Sequence, residues 1–143
     1  MTSVHIVLGV AVVAVNLAAG ALGVFRWRRD ELSRAFWPLL RAGQALVVIE
    51  AVDGAVLLLM GKELPRLHLI YGLVPIGVAF IAEQLRLTSA QAVLDARGVA
   101  SARELPEDDR EDAALDILLR EMGVMAASAL VVAALGLRAG GVL

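Results

Sequence analysis

The chain has 143 residues, 59% of them hydrophobic, a formal net charge of −2 and no cysteine. Mean hydropathy is +0.78, whereas a soluble domain is nearer ~45–50% apolar. Missing cysteine excludes disulfides, thiolate metal sites and cysteine nucleophiles, and the mildly acidic balance gives no reason to expect nucleic acid as a partner.

The apolar residues come in long blocks rather than in amphipathic alternation, which points to lipid as the solvent. The length suits a single bundle with no second domain. The first block, 4–25, contains only His5 and Asn16 as polar side chains and is long enough to cross a hydrocarbon core of ~30 Å. Residues 1–4 carry no basic side chain, so no cleaved signal peptide is expected, although Ala18-Ala19-Gly20-Ala21 imitates a cleavage site. An arginine-rich loop follows, with Trp27 at its edge. The second span covers 36–60, with Pro38 in its first turn, where a missing N–H is tolerated. A tight turn at 61–65 leads into a third span at 65–85, interrupted by Pro75, which membrane helices accommodate. A fourth span covers 120–138, with Arg120 and Arg138 snorkelling at its ends.

Between the last two spans, 86–121 is too long for a turn. Residues 87–97 lack Gly and Pro and read as helix, and Gly98 is a natural stop. Pro106 followed by Glu107, Asp108 and Asp109 reads as a helix start suited to the macrodipole. The sequence therefore predicts an all-α fold. It is a four-transmembrane-helix bundle in which helices three and four run on as a cytoplasmic hairpin, continuous over 65–97 and 106–137. Leu87, Ala90, Val93 and Ala96 are expected to face Ala114, Ile117 and Leu118. The acidic run 104–112 reads as a solvated helix start or a docking surface.

Orientation follows from basic residues. If the loop after the first span is cytoplasmic, ten arginines lie inside and only Lys62, Arg66 and Arg138 outside. Both termini are then outside. Arginine far outnumbers lysine and Ala, Gly and Val abound, as in a GC-rich bacterial genome, so the expected location is a bacterial inner membrane. The expected partners are the bilayer and a second membrane protein or another copy of the chain.

Four polar groups fall where lipid makes them expensive: Asn16, Glu50, Asp53 and His68. A charge at the bilayer centre costs about 2.5–3.5 kcal/mol. Glu50 and Asp53 are three apart and share a helix face with Gly43, Val47, Gly54 and Leu57. Small residues let helices approach closely, so this face is expected to point into the bundle. His5, Gly9, Asn16, Gly20 and Gly23 form a matching stripe on the first helix. His68, Tyr71, Gly72, Pro75, Ala79 and Ala82 form another on the third. Arg41 and Gln44 fall on the far side of the second helix, which excludes an Arg41–Glu50 pair. The polar set converges on the outer half of the bundle, with His5, His68, Tyr71 and Asp53 above Glu50 and Asn16.

Several readings remain open. The groups could simply bond one another and fix helix register. His5 and His68 could ligate a cofactor, since imidazole suits iron and other transition metals. Buried carboxylates could exchange protons with the outer face, or with a quinol. No Ser–His–Asp order, zinc signature or phosphate loop is present, which weighs against an enzyme. His-Ile-Val-Leu-Gly at 5–9 and Leu-His-Leu-Ile-Tyr-Gly at 67–72 resemble small four-helix membrane haem proteins, the b561-like cytochromes. That resemblance implies haem b held by a histidine pair, here His5 and His68, with Tyr71 adjacent. Those cytochromes carry more histidines, on both membrane sides. Two histidines allow at most one such haem. Residues 41–86 also resemble an uncharacterised bacterial membrane family, which implies no activity.

Overall fold

The computed structural model describes residues 3–63 and 65–142. Its elements are α1 (Ser3–Trp27), α2 (Phe36–Leu59), α3 (Arg66–Leu87), α4 (Ser89–Ala96), a 3₁₀ turn (Ala102–Glu104) and α5 (Glu107–Ala139). Four stretches are long and apolar enough to cross a membrane: α1, α2, α3 with α4, and α5. Their outer faces carry Val7, Val10, Val52, Leu59, Leu67 and Phe80, all strongly exposed. Such a continuous apolar coat is foreign to a soluble monomer. It suits helices whose backbone groups are all satisfied internally in lipid.

α5 is the axis of the bundle. It packs along α1 and α3, while α2 packs along α1, and α2 and α3 meet over a much shorter stretch. Ala19, Phe36, Leu40, Met122, Met125, Ala126 and Ala129 form the main core, and Val12, Val47 and Val132 continue it towards the other end. Close approach depends on glycine. A Cβ on Gly23 would lie 2.5 Å from the Ala126 Cβ and 2.6 Å from the Phe36 ring, so α1 can lie against α5 only because that side chain is absent. At ~1.5 Å per residue α5 is about 50 Å long, well beyond a ~30 Å core. Its charged first half extends past the apolar span.

α4 packs on that first half through Val93, Leu105 and Ala113, backed by Leu94, Val99 and Ile117. The expected facing set is corrected in part. Leu87 and Leu118 are exposed, as is Ala114, because Ala113 rather than Ala114 lies in the seam and turns the neighbouring positions outward. The expected continuous helix over 65–97 is likewise divided at Thr88. The Thr88 and Ser89 hydroxyls both donate to the Leu85 carbonyl, at 2.9 and 3.2 Å, competing with the backbone ladder.

α4 ends as expected at Gly98, which has φ +70°. Its N–H bonds to the Asp95 carbonyl and that of Val99 to Leu94, the paired bonds of a Schellman cap, and Val99 and Leu94 both pack against the Val93 cluster. Gly98→Ala forces a side chain into left-handed backbone and should cost about 1 kcal/mol. Thermal melting of the detergent-solubilised chain measures it.

Candidate functional site

Three of the polar residues singled out by sequence form one hydrogen-bonded chain. It lies at the end of the bundle where α1 and α3 begin and α2 and α5 finish. His5 is buried at 5% exposure, and its ring packs over Gly54, whose absent Cβ would lie 3.6 Å from His5 Cε1. His5 Nδ1 is 3.0 Å from Asp53 Oδ2. His5 Nε2 is 3.4 Å from His68 Nε2, and His68 Nδ1 is 3.1 Å from the Ala139 carbonyl oxygen. The chain thus ties α1, α2, α3 and α5 together.

One end of this chain has a fixed direction. A carbonyl only accepts, so His68 Nδ1 carries hydrogen and donates to Ala139.

Glu50 lies one turn deeper. A Cβ on Gly9 would meet its Oε1 at 2.8 Å, so the carboxyl rests on the glycine gap of α1. It is within electrostatic reach of His5, His68 and Asp53, but among the described residues no hydrogen bond joins it to them. Asn16 belongs to a different place. It is 1% exposed, donates 2.9 Å to the Val12 carbonyl of its own helix, and fills the space left by Gly43, whose Cβ would lie 2.9 Å from its Oδ1. It fixes the α1–α2 approach and is not gathered into the cluster. Tyr71 is half-buried, with the Arg138 guanidinium carbon 5.9 Å from its ring centre. Of the α3 stripe, Pro75 and Ala82 are buried, whereas Gly72 is exposed, with nothing among the described residues within 4 Å of its Cβ position.

His68 and Tyr71 open on a cleft of about 630 Å³, whose other walls include Leu57, Lys62, Leu67 and Arg138. His5 lies behind His68 and is not among the lining residues. The hydrogen-bonded chain therefore runs from the α1–α2 interface to an open mouth. It does not accommodate a haem as an axial pair. The two rings face each other directly, with centres 5.7 Å apart, and no slot for a macrocycle separates them. Among the described residues no three His, Cys, Asp or Glu side chains form a metal-binding group.

Sequence reasoning missed two features. The Ala139 carbonyl is a backbone group that no side-chain pattern announces. At the opposite end of the bundle, Glu83 on α3 pairs with Arg41 of α2, accepts from Gln44 at 3.1 Å, and pairs with Arg86 at 2.8 Å. Arg86 also reaches Glu121 of α5 at 3.3 Å. The signal was available, because Arg41 and Gln44 leave the Glu50 face and need partners elsewhere. The chain matches no family model, and no curated protein or solved structure is significantly similar to it.

Proposed function

We propose that this is a non-enzymatic, multi-span protein of a bacterial inner membrane. Both termini lie outside, and the outer polar cluster of His5, Asp53, His68 and Tyr71 binds a small ligand arriving through the cleft. The observation that carries this reading is the continuous chain Asp53–His5–His68–Ala139 ending at an open mouth. A purely register-fixing network has no need of a mouth. Glu50 beneath the chain supplies a second carboxylate in the same field. In this orientation α4 and the first half of α5 are cytoplasmic, and the protein serves as an accessory or binding component of a membrane assembly.

Two measurements test it. Native mass spectrometry of the gently extracted protein should find a retained small molecule that His68→Ala loses without unfolding. A wild-type chain that retains nothing under any mild extraction contradicts the reading. An absorption spectrum is the control, since a Soret band abolished by His68→Ala would replace it with haem binding. For topology, a reporter fused after residue 143 should behave as periplasmic and one inserted near Glu104 as cytoplasmic. A cytoplasmic C-terminal fusion would reverse the orientation.

A further inference from the structure

The cleft beside the cluster exists because three helix ends stop short of one another. α2 gives way at Gly61, which takes φ +77°, and the Lys62 N–H closes back on the Leu57 carbonyl at 3.1 Å. α5 ends in the same way, with Gly141 at φ +74° and its N–H on the Arg138 carbonyl at 3.1 Å. Both are left-handed glycine turns that take the chain off the helix axis. α3 starts only at Arg66. Gly140 and Gly141 line the space between and have no side chains to fill it. The result is a cleft of about 630 Å³, within the ~300–1,000 Å³ of small-molecule sites. The sequence puts three basic side chains at this end of the bundle, Lys62, Arg66 and Arg138. Lys62 and Arg138 both stand in the wall of the cleft, and among the described residues Glu63 is the single carboxylate there. The Arg138 guanidinium carbon is 5.9 Å from the Tyr71 ring centre, which braces a planar fork suited to a phosphate. Leu57, Pro65 and Leu67 make the rest of the wall apolar. Leu59, Met60 and Leu67 at the same helix ends are strongly exposed, so the cleft borders the lipid-facing coat.

We propose that this cleft seats the head of one anionic membrane amphiphile, a phosphate without a compensating ammonium, with its acyl chain along the apolar ends of α2 and α3. Lys62 and Arg138 meet the phosphate, and Leu57, Pro65 and Leu67 meet the start of the chain. The proposal deepens the binding role by naming the ligand class, and it rests on that reading. Two cations against one carboxylate favour an anion. A soluble anion gains nothing from the apolar wall, whereas an amphiphile uses both halves of the site. A zwitterionic head brings its own ammonium against Lys62 and Arg138 and loses that advantage. Glu63 opposes the phosphate and holds the affinity below what the two cations alone would give. The seated head bridges the ends of α2 and α5, on the open side of the hydrogen-bonded chain that ties the same helices from behind. In the proposed orientation the amphiphile comes from the outer leaflet.

The test uses the full chain in a neutral detergent, titrated with phosphatidylglycerol and separately with phosphatidylethanolamine of the same acyl chains. Native mass spectrometry counts the bound lipid. One tightly held phosphatidylglycerol per chain is expected, with phosphatidylethanolamine held more weakly. Lys62→Gln and Arg138→Gln should each weaken phosphatidylglycerol by about fivefold, the usual loss per basic residue at a membrane surface. Arg138→Lys, which keeps the charge, should retain most of the affinity. Glu63→Gln should strengthen binding by about the factor that one cation supplies. Arg66→Gln removes a basic group at the same end but outside the cleft wall, and should leave the affinity nearly unchanged. Circular dichroism confirms that each variant is folded. Equal retention of the two lipids overturns the proposal, as does binding that survives in the Lys62→Gln, Arg138→Gln double variant. An Arg66→Gln loss as large as that at Lys62 also overturns it, since general surface charge would then account for the binding. Inorganic phosphate that saturates the site as tightly as the lipid overturns it too, because the acyl chain would contribute nothing. If no anionic lipid is held but His68→Ala still loses a retained small molecule, the amphiphile fails and the binding role of the cluster stands.

Discussion

Gly23→Leu should all but abolish assembly of the bundle, at a cost of about 3 kcal/mol or more. Overpacking a well-filled core typically costs ~1–3 kcal/mol and more where nothing can yield. At Gly23 little can. A Cβ alone would sit 2.5 Å from the Ala126 Cβ, which is anchored to the α5 backbone, and 2.6 Å from the Phe36 ring, which is fully buried. Relief would require α1 to move away from α5, and that opens the core formed by Ala19, Met122 and Met125. Gly72→Leu is the matched control. It adds the same side chain in a span, but among the described residues nothing lies within 4 Å of its Cβ position, so it should change the melting temperature little. Thermal denaturation of both variants in one detergent makes the comparison. Equal losses would show that detergent or lipid contact, rather than the α1–α5 seam, sets the stability.

Much of this packing is legible in the sequence because lipid enforces a simple grammar. Apolar residues may face outward, so the informative positions are the small and polar ones. Gly20, Gly23, Asn16 and His5 fall on one stripe of α1, and all are buried. Gly43, Val47 and Leu57 mark the buried face of α2. What the pattern cannot supply is which helices become neighbours. Short connections make α2 and α3 the natural pair, yet they touch far less than α3 touches α5 or α2 touches α1, because α5 lays its Ala- and Met-rich face along α1 and α3. That choice leaves Gly72 facing outward despite its place on a small-residue stripe. Helix phase is similarly hidden where alanines adjoin. Ala113 and Ala114 are chemically equal, and only packing on Val93 selects the first. The cluster of His5, Asp53 and His68 was visible because a polar group in lipid needs a partner. Its anchor at Ala139 was not, since it depends on where α5 stops relative to the start of α3.

The polar knot at the other end of the bundle carries the second large effect. Glu83→Ala should destabilise the protein by about 2–3 kcal/mol. One carboxylate there serves Arg41, Gln44 and Arg86, and through Arg86 it connects to Glu121. Bonds to charged groups are worth about 1.5–3 kcal/mol each, and removing one member of a buried pair costs ~3–5 kcal/mol because the partner is left uncompensated. Partial exposure of Arg41 lowers that figure. Arg86 retains Glu121 and lies 5.9 Å from the Trp37 ring centre, so it loses only part of its support. Because α2 and α3 share little else, the loss falls on their mutual position. Glu83→Gln keeps the shape and one acceptor oxygen, and should cost less than half as much. The double variant Glu83→Leu with Arg86→Met removes both charges and should recover part of the loss, leaving Arg41 to turn outward towards the lipid headgroups. Melting temperatures of the three variants, with a cross-link between α2 and α3 as a separation gauge, measure these differences. A Glu83→Ala protein as stable as the wild type would mean that the knot is an exposed surface pair and that α2 is held by α1 alone.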